Sequence, residues 1–373
     1  MKRSLTLGCA AIALAATCGT ASAQKFDVMI GGDAYFEAGF VDQDRDQGLR
    51  TTEFRNRMRL VVTPTAKADN GLEYGARLRL RAVDNGTGGR TTDNDRAFIF
   101  VSGAFGTVQA GTINGLSDEY GVIGPNPDGV QGSPDGNWAA FYAATDRRGV
   151  SVGLPYVIGS LRTLESGDAS TKVIYLSPSF SGFKLGAAYT PTEGSSNTNV
   201  NRVKRTSSNF RDMGEVQATY TGEFSGVSIE GSAAYQFGKA DAPTNIEDLS
   251  SVHAGLNVGY AGFKLGGSYA YSGKSGYAKG STGLDKQQVW LVGAQYTTGP
   301  LILAATYTDA RGAVGLGLTG AANNARTHLW QAGVTYTVAP GLTTGLEYSY
   351  VDNKQGTLNN DANIIMWDTR FAF

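Results

Sequence analysis

Polar and apolar residues alternate one by one in stretch after stretch of this chain. That is the period of a β-strand whose two faces meet different surroundings. Across 26–40 the even positions read Phe26, Val28, Ile30, Gly32, Ala34, Phe36, Ala38 and Phe40, while the odd ones include Asp27, Asp33, Tyr35 and Glu37. Across 51–60, Glu53, Arg55, Arg57 and Arg59 alternate with Phe54, Met58 and Leu60. Across 72–82, Glu73, Arg77, Arg79 and Arg81 alternate with Tyr74, Leu78 and Leu80. Further strands are predicted over 95–104, 106–113, 171–180, 183–190, 213–224, 227–237, 251–260, 263–272, 286–297, 300–309, 327–338, 342–352 and 362–373, about sixteen in all, an even number as closed barrels have. Two of them, 95–104 and 171–180, are apolar at both parities.

The connectors sort into two kinds. Ala104-Phe105-Gly106, Ser181-Gly182, Ser225-Gly226, Ala261-Gly262, Thr298-Gly299 and Ala339-Pro340-Gly341 are tight turns, and 64–70 is the one longer member of that set. Between them fall polar loops at 41–49, 84–94, 114–170, 191–212, 238–250, 273–285, 310–326 and 353–361. Strict alternation of short and long puts all short turns at one rim and all long loops at the other. Bacterial outer-membrane barrels have this asymmetry, with short periplasmic turns and long external loops. Tyr189, Tyr220, Tyr235, Phe237, Tyr260, Tyr269, Trp290, Tyr307, Trp330, Tyr336, Tyr348 and Tyr350 share parity with the apolar residues of their strands, as half-polar rings at a lipid interface do. Pairing of 26–40 with 362–373 would leave no open edge.

The loop 114–170 is too long to be a simple connector and has no clean strand or helix pattern. It is expected to fold into the bore and narrow it.

Composition agrees with this reading. A basic start, an apolar run over 5–16 and Ala21-Ser22-Ala23 make 1–23 a cleaved secretory signal, so 24–373 is the mature barrel, 373 − 23 = 350 residues. Cys9 and Cys18 both fall in the signal, leaving no thiol for a disulfide or a metal. Removing Lys2 and Arg3 leaves 30 basic against 33 acidic residues, a formal −3. That balance argues against nucleic acid and points to a mild cation preference. No mature segment reaches the ~18 unbroken apolar residues of a membrane helix.

The strand-by-strand pattern, the Gly106-Thr107-Val108-Gln109-Ala110-Gly111 strand before the long loop and the terminal Phe371-Ala372-Phe373 resemble general diffusion porins of Gram-negative bacteria, in an alphaproteobacterial form. The resemblance spans the mature chain. It implies a homotrimer in the outer membrane, a third external loop folded into the pore, and a C-terminal Phe373 that signals barrel insertion. Sixteen-stranded porins are a general example of water-filled barrels.

Three enzyme-like strings lack their context. Gly149-Val150-Ser151-Val152-Gly153 matches a nucleophile elbow, which needs a strand before it, a helix after it and a His partner. The chain holds only His253 and His328. Gly315-Leu316-Gly317-Leu318-Thr319-Gly320 has no helix pattern behind it, and Gly273-Lys274-Ser275 lacks the first glycine of a P-loop. Asp42, Asp44 and Asp46 form an acidic loop without the rest of a calcium motif.

The charged constellation is the functional candidate. Arg55, Arg57, Arg59, Arg77, Arg79 and Arg81 share one parity on two adjacent strands. A lipid-facing charge near the midplane costs about 2–4 kcal/mol, so all six are placed in the lumen as a basic wall. Asp118, Glu119, Asp128 and Asp135 of the long loop supply the opposite sign and are expected to hold the loop against that wall. The resulting expectation is an all-β, sixteen-stranded antiparallel transmembrane barrel with a constriction loop. It would pass small hydrophilic solutes and ions by diffusion, with no reaction, cofactor or metal. The alternatives are a sugar- or anion-specific channel of the same fold, for which Tyr120, Trp138, Phe141 and Tyr142 offer aromatics, and an outer-membrane serine hydrolase using Ser151.

Overall fold

Two-residue turns fix the register of the sheet. At Ser225-Gly226 both residues take positive φ, 51° and 81°, and Phe224 pairs directly with Val227. Ala261-Gly262, at 49° and 86°, does the same between Tyr260 and Phe263. Positive φ at both positions gives the turn twist that matches right-twisted flanking strands.

The computed structural model describes residues 25–84, 90–125, 138–194, 209–241 and 244–373; the predicted signal 1–23 lies outside them. In chain order the strands are β1 (Asp27–Gln43), β2 (Thr52–Lys67), β3 (Glu73–Asp84), β4 (Arg90–Gly103), β5 (Gly106–Thr112), β6 (Thr171–Leu176), β7 (Phe183–Thr192), β8 (Phe210–Phe224), β9 (Val227–Ala240), β10 (Leu249–Tyr260), β11 (Phe263–Gly273), β12 (Gln287–Thr298), β13 (Leu301–Ala313), β14 (Asn324–Ala339), β15 (Leu342–Gln355), β16 (Leu358–Asn359) and β17 (Ala362–Ala372). Apart from the short β16, each pairs antiparallel with the strands next to it in the chain. The two-residue β16 only folds back on Lys354 and Gln355, and β15 pairs directly with β17. The ring therefore has sixteen staves. It closes where β1 meets β17, from Asp33↔Ala372 to Gln43↔Ala362.

Burial is inverted relative to a soluble protein. Phe54, Leu185, Leu265 and Leu346 point outward and are exposed, while Glu37, Thr335, Ser349 and Asp368 point inward and are buried. An apolar belt outside and a polar wall inside are what a lipid-embedded barrel requires.

The two strands with ambiguous parity have distinct physical causes. In β4 Arg79 pairs with Arg96 while Leu80 pairs with Asn94, so Asp95 is an extra, bulged residue. The bulge switches parity. Before it Asp93 and Asp95 face the arginines of β3; after it Arg96 and Phe98 are the buried residues. In β6 Val173 and Tyr175 are exposed outward, while Ile174 is buried inward against Phe98, Ile113 and Leu116. Its inner face is apolar because the long loop covers it. β6 also ends at Leu176, short of the predicted 180.

Candidate functional site

The long loop leaves the wall early. β5 is only seven residues and β6 only six, so the chain enters the lumen partway along the barrel. There it forms α1 (Leu116–Tyr120), α2 (Trp138–Phe141) and a 3-10 turn (Tyr156–Gly159). Residues 126–137, among them Asp128 and Asp135, lie outside the described residues.

The loop is seated on an apolar patch of the inner wall. Ile123, Trp138, Val157, Ile158, Leu161 and Leu164 pack with Leu249, Ala270, Val289, Leu291, Leu329 and Ile364. In a ring of sixteen staves β10–β12 stand across from β2–β4, so that part of the patch faces the arginine strands, and the patch runs on through β14 to Ile364 on β17. Two glycines permit the close approach. A Cβ on Gly255 would lie 1.7 Å from the Val122 carbonyl oxygen, and one on Gly39 would lie 2.3 Å from the Phe141 ring.

Polar wall residues catch the loop backbone. The Glu215 carboxylate accepts N–H bonds from Leu116 (2.6 Å) and Ser117 (3.0 Å), and a hydroxyl bond from Thr163 (3.0 Å). Ser251 Oγ accepts from Leu164 N, Gln236 Oε1 from Glu165 N, and Ser232 Oγ from Val122 N. At the other end Asn353 Nδ2 donates to the Tyr142 hydroxyl at 2.9 Å and to the Val152 and Gly153 carbonyls. Burial pushes the Tyr142 hydroxyl up to about 12, so it stays a proton donor and bonds the Asn360 carbonyl.

For Asp118 and Glu119, the two described acids of the four expected to hold the loop against the six arginines, the structure shows other partners, and the apolar seat carries the loop. Burial of each large apolar side chain contributes about 1.5–3 kcal/mol, whereas a partly exposed ion pair contributes about 0–1 kcal/mol. The apolar seat therefore dominates. Asp118 turns back to Arg162 of the same loop at 3.5 Å and to Asn114. Glu119 does reach the wall, but pairs with Arg96 on β4.

The six predicted arginines find their partners mainly on neighbouring strands. Arg59 and Arg57 bond Asp33 at 2.6 Å and 3.3 Å, and Arg370 of β17 adds a third contact at 3.6 Å. Arg55 lies 3.7 Å from Glu37. Arg79 makes a two-pronged bond to Asp95, both arms 2.6 Å, and Arg81 bonds Asp93 at 2.8 Å. Arg57 also stacks over the Tyr35 ring, 4.5 Å from its centroid. Arg77 makes no ion pair among the described residues and lines a cavity of about 490 Å³ with Arg59, Arg79 and Arg370. The wall is thus a lattice of paired charges in which Asp33, Glu37, Asp93, Asp95, Arg96 and Arg370 share. Sequence reading missed these as site residues. For Asp33, Glu37 and Arg370 the signal was present in strand parity; for Asp95 and Arg96 the bulge concealed it.

The remaining expectations are placed as follows. Trp138 and Tyr142 are buried in the apolar cluster between loop and wall and Phe141 packs beside it, so they do not present a line of rings to solutes. Tyr120 is half-buried and donates its hydroxyl to Gln109. Phe373 closes the ring by exchanging backbone bonds with Gly32 at 2.9 Å and 3.1 Å, its ring stacked on Phe371. Asp44 and Asp361 exchange backbone and side-chain bonds across two external loops. Among the described residues no three potential metal ligands converge.

A closed barrel with an apolar exterior, a polar lumen and an in-folded loop defines a β-barrel membrane channel. A family profile described as Gram-negative porin matches residues 10–356. The chain belongs to that family and is an outer-membrane pore for diffusion. Solved structures with the same fold include a loop L8 deletion mutant of OmpT, an outer membrane protein of Vibrio cholerae. That structure is 16% identical, with 93% of this chain and 99% of that chain covered and a TM-score of 0.60. A Rh. blastica porin variant is likewise 16% identical, covering 93% and 100% with a TM-score of 0.58. A triple mutant of Rhodopseudomonas blastica porin is 17% identical over the same shares, at 0.58. Among curated proteins no sequence matches.

Proposed function

We propose that the narrowest part of the diffusion path lies between the seated loop and the arginine strands β1–β4. Small hydrophilic solutes and ions pass it without chemical conversion or energy coupling. The observation that carries this reading is the loop's position inside the barrel, seated across from Arg57, Arg79 and their partners. Close pairing of arginines with carboxylates supports weak ion selectivity, since each pair largely cancels at a distance. A homotrimer in the outer membrane and export by the segment 1–23 complete the reading.

A non-enzymatic role is supported by the setting of Ser151. It forms a bridge with Thr145, whose hydroxyl bonds it at 3.1 Å, and the chain then runs through irregular backbone to the 3-10 turn. A nucleophile elbow passes straight from strand to helix. A solute-specific sugar channel finds no support in Trp138 and Tyr142, which are occupied in packing.

Reconstitution into planar bilayers tests the proposal. Open, ohmic channels with a small reversal potential are expected. A bilayer that stays closed, or a saturating sub-micromolar block by one sugar, would overturn it.

A further inference from the structure

The outer face of β13–β15 carries three co-registered rows near the external rim. Arg311, Arg326 and Lys354 pair side by side across the three strands. Two residues deeper, Asp309, His328 and Asp352 form the next row. Two residues deeper again come Tyr307, Trp330 and Tyr350. Staves stand about 4.8 Å apart, so the basic row spans about 10 Å. Four residues of strand at a tilt of about 40° put the aromatic row about 10 Å nearer the membrane centre.

The rings form one connected sheet: Tyr307 and Trp330 centroids lie 5.1 Å apart, and Trp330 and Tyr350 5.5 Å apart. Such rings mark the boundary between hydrocarbon and headgroups. The basic row therefore stands at headgroup height, on the side facing lipid.

The three cations keep most of their donors unused. Arg326 gives one arm to Asp309 at 2.7 Å, and a guanidinium has five N–H donors. Lys354 is 3.8 Å from Asp352, beyond hydrogen-bond reach. Arg311 makes no ion pair among the described residues, and all three side chains are exposed. Lys239, on the outer face of β9, is by contrast closed by Asp248 at 2.7 Å. The second row fixes the first from below: Asp309 is buried, holds Arg326, and lies 3.6 Å from His328, whose Nδ1 is bonded to the Tyr307 hydroxyl at 2.6 Å. Its carboxylates lie deeper than the cations, so an anion approaching the rim meets positive charge first.

We propose that this face is a binding site for the phosphate groups of a phosphorylated glycolipid in the outer leaflet. Arg311, Arg326 and Lys354 hold the phosphate oxygens, and Trp330, Tyr307 and Tyr350 support the sugar and the upper acyl chain. Arginine forks suit phosphate geometry, and each basic side chain at a charged membrane surface strengthens attachment about fivefold.

The test uses the full barrel in mixed micelles with bisphosphorylated lipid A, its enzymatically dephosphorylated form, or inorganic phosphate alone. Bound lipid per chain is read by native mass spectrometry. The unaltered protein is expected to bind the phosphorylated lipid at least tenfold more tightly than the dephosphorylated one, with millimolar free phosphate failing to compete. The Arg311→Gln/Arg326→Gln/Lys354→Gln variant is expected to lose that preference while keeping its conductance; Arg311→Gln alone, exposed and without an ion pair among the described residues, is expected to lose about fivefold. An Arg50→Gln/Arg148→Gln control is expected to keep the preference. Equal binding of both lipids, full competition by free phosphate, or a triple variant that keeps the preference would overturn the proposal. So would a change of oligomeric state in the triple variant without a change in lipid preference, which would make this face a contact between copies of the chain.

Discussion

Arg79 and Asp95 meet through two parallel hydrogen bonds, Nε to Oδ1 and Nη2 to Oδ2, each 2.6 Å. They sit on adjacent strands but are not register partners; Arg79 is paired with Arg96. Asp95 reaches Arg79 because it is the extra residue of the β4 bulge. One inserted residue thus places an acid between Arg79 and Arg81 and leaves Arg96 to face Glu119 of the loop. The lattice at the constriction depends on that local irregularity.

Replacing Arg57 and Arg79 together by Gln keeps long polar side chains and removes two positive charges. Asp95 then keeps Arg81, at 3.5 Å, and the nearby charge of Arg96, and Asp33 keeps Arg59 and Arg370. Two charges ~8 Å apart in water interact by only about 0.5 kcal/mol, but a narrow throat focuses the field. Cation preference is expected to rise, seen as a shift of reversal potential under a salt gradient. The shift should fade as the screening length falls from about 10 Å at 0.1 M to about 3 Å at 1 M salt. An unchanged potential at low salt would place these side chains away from the narrow path.

Glu215→Ala removes the acceptor for two loop N–H groups and the Thr163 hydroxyl. Each buried donor left unpaired costs about 1–3 kcal/mol. The loop is expected to loosen while the strand ladder persists, giving noisier single-channel current and faster entry of larger sugars in liposome swelling. A quiet channel with the parent size limit would show that the apolar seat suffices alone.

Gly255→Ala puts a Cβ against the Val122 carbonyl, where only 1.7 Å is free. Backbone must move, so the loop is expected to shift and conductance to change. Gly159→Ala is the control, because its Cβ meets nothing within 4 Å. If both variants conduct alike, the loop does not rest on Gly255.

Glu165, in the loop and outside the spanning strands, is held well above the usual carboxylate range, first by burial and then by Glu193 and Asp168. A carboxyl whose folded value is raised stabilises the folded arrangement fully below its unfolded value, near 4.5, and loses that contribution as pH rises through the folded value. The loop seat is therefore expected to tighten as pH falls from 8 to 5. Channel noise should fall in parallel, and Glu165→Gln, a mimic of the protonated form, should be quiet across the range. The same pH slope of noise in Glu165→Gln would assign it to another group.

Much of the architecture was legible in the chain because alternation at period two is a local property. A residue such as Phe54 or Arg57 declares its face through its immediate neighbours, and the Ser225-Gly226 and Ala261-Gly262 turns declare their register through required backbone angles. The closing pair of strands followed because a barrel tolerates no open edge. Tertiary structure decided three things that no local pattern carries. The bulge at Asp95 switches a face midway along β4, which periodicity alone reads as ambiguity. Most of the arginines are paired with Asp33, Glu37, Asp93 and Asp95, because the carboxylate that lies beside each guanidinium is set by the register between strands. The loop is held by apolar contacts on β10–β17, because Leu249, Leu291 and Ile364 are inward residues whose apolar character makes sense only once the loop lies on them. Sequence fixes which way a strand residue points; what it meets there is decided by the closure of the ring and the weight of apolar burial over exposed charge.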